Sequence, residues 1–346
     1  MNEIRDRPLD ASEKVGVNVA LVAYDSLGDG LVYLMIAENL RLAGFDVTYF
    51  GAGVASLASW FPQLPIKPYP DARAVGPELG KFDLVLYSPP SFVRRTASDA
   101  GMRRLAGRYV FLCLGRRFAE SWRVDHRQRI AALLPPEKSR RLQRLAGCSG
   151  VIRRRRFSSQ SVVQTTLAFM QETMGLEHVT AQVQRQVPRG LEHRRYRDRI
   201  VLCPDSAEPA RKDWSPSRVL DLAARLRSRG LDPKIVASPE NIATWRRRSA
   251  GVCDAPALVS VDALAAYLYE SGVVVASDSG SGHLASFLGV PTVTIYRRMN
   301  PKFAWRPGWG PGEVVCPVLA LGISKWHLWR PFIPTWKILR AVDRLR

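Results

Sequence analysis

Short runs of β-branched and apolar residues alternate along this chain with longer stretches whose apolar positions recur at helical spacing. Residues 17–24 predict a buried strand, residues 25–30 a loop, residues 31–43 a helix stopped by Gly44, and residues 45–50 the next strand. The rhythm continues with strands at 82–87 and 109–114 and a helix over 161–175, while the proline-rich residues 62–77 predict a loop. Residues 184–199 are polar, charged and aperiodic, the pattern of an interdomain linker. The alternation then restarts with a strand at 200–204, a helix at 217–229 carrying Val219, Leu222, Ala223 and Leu226 on one face, strands at 233–237 and 258–261, and a helix at 263–270. Residues 273–276 form a further buried strand, 278–282 a tight loop, 283–288 a short helix stopped by Gly289 and Pro291, and 292–296 another strand. Strand, helix, strand units in series predict an α/β protein with parallel, doubly wound sheets. They divide into a first Rossmann-like domain over 1–190, a second over 191–324, and a terminal helix in 325–346.

At 346 residues the chain is long enough for two domains with their own cores, and 46% hydrophobic with 24% charged residues is a globular, soluble balance. Five cysteines, Cys113, Cys148, Cys203, Cys253 and Cys316, show no C-x-x-C pair and no metal-ligand spacing, which fits a reducing cytoplasm. Residues 1–14 read as a polar, disordered leader without the apolar core of a secretion signal, and no apolar window is long enough to span a bilayer. The formal charge is +20, and residues 94–156 hold 18 Lys and Arg, ending in the run Arg153-Arg154-Arg155-Arg156, against four acids, Asp99, Glu120, Asp125 and Glu137. That excess implies either an anionic partner, such as a phosphorylated glycan or an anionic membrane surface, or a solvated basic face. No zinc finger, RNA-binding-sheet motif or heptad accompanies it, so no nucleic-acid partner is expected. The tail sets Trp326, Trp329 and Trp336 among Lys325, Arg330, Lys337 and Arg340, a mixture that suits a membrane interface or a terminal helix packed on the first domain.

The most distinctive stretch is 277–296, SDSGSGHLASFLGVPTVTIY. Its loop, Asp278-Ser279-Gly280-Ser281-Gly282, follows a buried strand at the carboxyl edge where open α/β sheets bind ligands. The glycines let a ligand approach the backbone and the N–H groups at the helix start suit a phosphate; the same residues also make an Asx-turn and a cap with no ligand. The fingerprint G-x-G-x-x-G is absent, which argues against a nicotinamide or flavin enzyme.

Three blocks resemble glycosyltransferase family 9, the heptosyltransferases of bacterial lipopolysaccharide synthesis. Ser26-Leu27-Gly28-Asp29 resembles the family's loop after its first strand, and Lys212-Asp213-Trp214 the K-x-W that opens its second domain. Asp278-Ser279-Gly280 with His283-Leu284-Ala285, Leu288-Gly289 and Pro291 resembles its D-[ST]-G-x-x-H-L-A-x-x-L-G-x-P signature. The chain departs from the family at Tyr296-Arg297-Arg298, where a small residue is usual, and at Gly30-Leu31-Val32-Tyr33, where an early proline is usual. The resemblance implies the GT-B fold, with two Rossmann-like domains facing a cleft. It also implies an inverting, metal-independent transfer from a nucleotide-diphospho-sugar, ADP-heptose, to a phosphorylated or lipid-linked glycan. The enzyme would be cytoplasmic, with a peripheral contact on anionic membrane and no cofactor beyond the donor co-substrate.

Such a transfer needs a base for the acceptor hydroxyl and positive charge for the departing diphosphate. Asp29, with Ser26, Gly28 and Gly30 around it on the acceptor side, is the candidate base; its other role is to cap the following helix. Lys212 would neutralise the diphosphate, Gly280, Ser281 and Gly282 would offer backbone N–H groups, Asp278 and Ser279 belong to the loop itself, and Ser206 is a further phosphate-side group. His283 would donate to a phosphate oxygen or satisfy a backbone carbonyl. Glu240 follows a strand at the position where Rossmann sheets set a carboxylate against ribose hydroxyls. Two other functions share the fold. A nucleotide-sugar 2-epimerase would want glutamates where His283-Leu284 stand and an arginine such as Arg297 or Arg298, and a non-catalytic scaffold or binding protein would keep the fold but neither epimerise a nucleotide-sugar nor release its nucleotide.

Overall fold

The computed structural model describes residues 16–71, 73–114, 118–152, 159–298, 300, 305–319 and 328–346. The leader at 1–14, the run Arg153-Arg154-Arg155-Arg156, Lys325 and Trp326 lie outside the described residues. Two compact units result, one holding the described residues up to 152 with Val163–Gln186, the other residues 159–162 with Val187–Arg346.

In the first unit, β1 (Asn18–Val22), β2 (Asp46–Phe50), β3 (Ile66–Lys67), β4 (Leu84–Tyr87), β5 (Val110–Cys113) and β6 (Gly150–Val151) form one parallel sheet in the order β3-β2-β1-β4-β5-β6. Val19, Ala20, Leu21 and Val22 of β1 are fully buried, because a central parallel strand is covered by crossovers on both faces. The helix Leu27–Leu42 runs from β1 to β2 and buries every residue from Gly30 to Leu40. Two polar side chains go down with it. Glu38 takes a two-point bond from Arg41 at 2.9 and 3.1 Å. Asn39 donates to the Thr180 carbonyl at 2.8 Å and accepts from the Thr180 N–H at 2.7 Å. With Gln184 N–H on Glu38 at 3.3 Å and Gln186 N–H on the Trp60 carbonyl at 2.8 Å, these bonds strap residues 180–186 onto the first unit.

The predicted linker is therefore shorter than its composition suggests: residues 184–186 belong to that strap, and β7 (Tyr196–Cys203) has begun by residue 196. The proline-rich stretch is not only loop, since β3 pairs with β2 there and a helix, Val75–Leu79, opens within it. No strand forms at 258–261; the Ser260 hydroxyl accepts from Ala263 N–H at 3.0 Å and starts the helix Val261–Tyr269. The basic segment folds largely into the helices Ser91–Thr96, Asp99–Arg108, Arg127–Leu133 and Pro136–Ala146. Its charges are not all solvated, because Arg141 is buried against the Ala43 and Gly44 carbonyls at 3.2 Å each and Lys138 pairs with Asp83 at 2.9 Å.

The second unit holds β7, β8 (Asp232–Ile235), β9 (Ser271–Ser277), β10 (Thr292–Ile295) and β11 (Gly312–Val315), all parallel, in the order β11-β10-β9-β7-β8. Trp214 and Trp245 join Leu222, Leu226 and Val275 in its core. The terminal helix, Thr335–Leu345, adds Ile338, Leu339, Ala341 and Val342 to the same core. The helix thus closes the core of the second unit. Trp329 is buried there too, whereas Trp336 is exposed between Lys337 and Arg340.

Gly272 of β9 lies so close to β7 that an added Cβ would stand 1.8 Å from the Arg197 carbonyl oxygen. Gly272→Ala must push the strands apart and is expected to lower stability by about 1–3 kcal/mol. Urea unfolding of the full chain measures this, and an unchanged midpoint would contradict it.

Candidate active site

In the second unit β7 has β8 on one side and β9 on the other, so successive connections leave β7 in opposite directions and the loops after β7 and β9 meet at their carboxyl ends. Lys212 closes the one-turn helix Pro209–Lys212 after β7, and Asp278 follows β9. Lys212 Nζ stands 3.2 Å from Asp278 Oδ2 and 3.3 Å from Glu208 Oε1. Glu208 was overlooked in the sequence, although its spacing four residues before Lys212 is that of a helical ion pair. The Asp278 side chain is 14% exposed. Burial pushes its carboxyl above the ordinary range, and the Lys212 ammonium pulls it partly back.

The helix Gly280–Phe287 starts earlier than predicted, so Gly280, Ser281 and Gly282 are its first turn rather than a loop before it. No side chain caps it; the Ser279 hydroxyl, at the capping position, is buried and has no partner among the described residues. The positive end of the helix is thus open to an anion. Gly282 serves packing as well, since a Cβ there would meet Ala276 Cβ at 3.1 Å. His283, 2% exposed, lies with its ring centroid 5.3 Å from that of Trp305 and 6.2 Å from that of Trp309. Neither ring nitrogen has a partner among the described residues. Burial first, and the Lys212 charge second, push its pKa down to about 3, so the imidazole is neutral with one donor and one acceptor unmet. Sequence spacing gave no sign of the two tryptophans, which reach His283 only through the fold.

The other predicted donor-side residues are placed less directly. Ser206 donates to Asp213 Oδ1 at 2.5 Å and accepts from Glu208 N–H at 3.3 Å, so it organises the loop after β7. Burial pushes the Asp213 carboxyl up to about 6 against the pull of that hydroxyl. Glu240 is exposed on the loop after β8, its carboxyl held below the ordinary range by its own backbone N–H and the Ser238 hydroxyl. A cavity of about 950 Å³ opens at the opposite end of this sheet, where β8 begins. Its charges are already engaged, Lys234 by Asp232 at 2.9 Å and Asp254 at 2.6 Å, and Arg227 by the Gly251 and Val252 carbonyls. The unmet hydroxyl of Ser279 and the unmet imidazole of His283 are at the carboxyl end.

The first unit has a switch point of its own, between β1 and β4. Ser26 caps the helix Leu27–Leu42, accepting from Asp29 N–H at 3.2 Å and donating to Asp29 Oδ2 at 2.5 Å. Asp29 is therefore the third residue of the helix, in a side-chain variant of the capping box, and not part of a loop. Asp25 accepts from the N–H and hydroxyl of Ser91, which joins the loops after β1 and β4. Arg94 donates to the Pro89 carbonyl at 2.9 Å and the Cys113 sulfur at 3.2 Å and lies 5.4 Å from the Tyr24 ring centre, a half-buried cation over the ends of β1, β4 and β5. Gly28 is buried. Gly30 is required by packing, since a Cβ would meet Val54 Cγ2 at 2.7 Å.

Two parallel α/β units, each gathering polar side chains at its switch point, are the parts of the GT-B fold, here that of a glycosyltransferase. The chain belongs to glycosyltransferase family 9 (heptosyltransferase), whose family model matches residues 109–320. Its fold is similar to that of a family 9 glycosyltransferase from Veillonella parvula, with a TM-score of 0.67, 14% identity and 98% of each chain covered. It is also similar to E. coli heptosyltransferase WaaC with ADP, at a TM-score of 0.59, 15% identity, and 95% of this chain and 100% of that one covered. E. coli ADP-heptose lipopolysaccharide heptosyltransferase II matches at a TM-score of 0.56 and 15% identity over 95% of this chain and 98% of that one. No curated protein sequence matches the chain. Among the described residues no helix is long and apolar enough to cross a membrane.

The His283 shift has a pH signature. Against an unfolded value of about 6.5, the unfolded chain binds a proton that the native state refuses, so His283 contributes stability that is present above about pH 6.5 and is lost as the pH falls toward 3. Asp213 and Asp278, both raised, act in the opposite sense across the carboxylate range. His283→Gln is expected to lose less stability than the parent protein between about pH 7 and pH 4, read from urea midpoints at each pH. Equal losses would mean that His283 takes up a proton in the folded protein.

Proposed function

We propose that the protein transfers heptose from ADP-heptose, with inversion and without a metal ion, to a hydroxyl of an anionic glycan such as lipopolysaccharide core. The observation that carries this reading is the Lys212 ammonium held 3.2 Å from Asp278, beside an uncapped helix start and a buried, unpartnered His283. An ammonium, three backbone N–H groups and a neutral imidazole suit a diphosphate, which needs several donors and one compensating charge. In this reading the second unit holds the donor: Lys212 and the N–H groups of Gly280, Ser281 and Gly282 bind the diphosphate, Asp278 orients Lys212, and Glu240 takes the ribose hydroxyls.

The first unit serves the acceptor. Asp29, oriented by Ser26, removes the proton of the acceptor hydroxyl as that oxygen bonds to the anomeric carbon on the face opposite the diphosphate. The carbon–oxygen bond to the diphosphate breaks, and its electron pair leaves with ADP, whose charge Lys212 stabilises. Arg94 and the exposed arginines of the helices after β4 favour a phosphorylated, lipid-linked acceptor and a peripheral contact with anionic membrane on the cytoplasmic side. The test is release of ADP from ADP-heptose, expected only when a core glycan acceptor is present. Release that ignores the acceptor, or no release with a panel of such acceptors, would reject the reading.

Asp29→Asn should lower turnover by about 10²- to 10⁴-fold with ADP affinity nearly unchanged, because a general base acts in the transition state. Asparagine can still bond Ser26 at this position, so thermal stability should hold; turnover at the parent rate would leave Asp29 with a capping role alone. Lys212→Ala should weaken ADP binding by about 1.5–3 kcal/mol, the worth of one charge-assisted contact. Calorimetry measures it, and unchanged affinity would remove Lys212 from the site.

A further inference from the structure

We propose that Arg330 is a positioning residue for Lys212, setting the strength of nucleotide binding without touching the nucleotide. This rests on the reading of Lys212 as the cation that meets the diphosphate. The helix Pro209–Lys212 is a single turn, and one turn is too short to be stable by itself. Within the turn the Asp213 N–H reaches the Pro209 carbonyl at 3.2 Å, and the carbonyls that follow are the open acceptors of a helix end. Beside it a cavity of about 350 Å³ is lined by Pro209, Ala210, Asp213, Trp214, Trp245 and Arg330 itself, so packing leaves the turn short of support there.

Arg330, which opens the short 3-10 turn Arg330–Phe332 ahead of the terminal helix, supplies further donors. Its Nε donates to the Asp213 carbonyl at 2.7 Å, and Nη2 donates to the Pro209 and Ala210 carbonyls at 3.0 Å each. The bond is returned by the buried Trp214, whose indole N–H donates to the Arg330 carbonyl at 3.1 Å. One planar guanidinium thus grips the turn before and after Lys212 and fixes the backbone from which the ammonium reaches Asp278. A positive charge is also favoured at the carbonyl end of a helix. Lysine would keep the charge but not the fork, because an ammonium cannot meet carbonyls at both ends of the turn in fixed geometry.

The test compares the parent protein with Arg330→Lys, Arg330→Gln, Lys212→Ala and the Lys212→Ala/Arg330→Lys double variant, using ADP as the probe in calorimetry and hydrogen exchange of the free protein over residues 205–216. Arg330→Lys should speed exchange at Arg211, Lys212 and Asp213 while leaving the melting temperature nearly unchanged. It should weaken ADP binding about three- to tenfold, the size of a coupling between residues in one network. With Lys212 already replaced by alanine, Arg330→Lys should weaken binding no further. Additive losses in the double variant, unaltered exchange, or an Arg330→Lys protein that binds ADP like the parent while Arg330→Gln does not, would each overturn the proposal. A Lys212→Ala protein that binds ADP like the parent would refute the site reading instead, and the exchange measurement would still decide whether the clamp exists.

Discussion

The pairing of β7 with β9 is the constraint on which the second unit depends. Ile200, Val201, Leu202 and Cys203 face Val273, Val274, Val275 and Ala276 in parallel register, and all eight are buried. Strands covered on both faces cannot slide without opening voids, so their register is stiff. Close contact at Gly272 adds a steric stop, and at the far end the Ser277 hydroxyl donates to the Pro204 carbonyl at 2.9 Å. Beyond that last rung the two chains part, one into the turn that carries Lys212 and the other into the helix that begins at Gly280. An apolar pairing with no chemistry of its own thereby sets an ammonium beside a carboxylate.

Much of this was readable in the residues. Strand runs were found because buried parallel strands are continuous β-branched stretches, and the block from Asp278 to Pro291 was found because its residue types fall at fixed intervals. What was missed has a common cause. The capping role of Ser26 shifts the helix start by one turn and moves Asp29 from loop to helix, which periodicity alone does not see. Asp213 looked like the spacer between Lys212 and Trp214, but its partner Ser206 is set by the fold. Trp305, Trp309 and Arg330 approach the site from the far end of the chain, and long-range contacts leave no local trace. The terminal helix is legible as a helix, but its apolar face fits any core of the right volume, so the residues alone do not say that it joins the core of the second unit.

The two units solve the same problem differently. Each brings a pair of loops together at a switch point, and in each a carboxylate is held by a neighbouring side chain. In the first, Asp29 is bonded by an uncharged hydroxyl within its own helical turn. In the second, Asp278 is met by an ammonium from another loop and lies deep enough for burial to outweigh that attraction. One carboxylate is thus met from within its own helix turn and the other across two loops.

The terminal helix also imposes an order on biosynthesis. Residues of the first unit end at Gln186, so every strand of that unit has been synthesised while about half the chain is still to come. The second unit cannot close its core until Ile338, Leu339, Ala341 and Val342 arrive, and these follow all of its strands in the chain. Domains emerging from the ribosome fold as units, first one and then the next. Here the first unit can fold while the second is still being made, whereas the unit carrying Lys212 and His283 must wait for the helix Thr335–Leu345, with the apolar faces of β9 and β10 uncovered in the meantime.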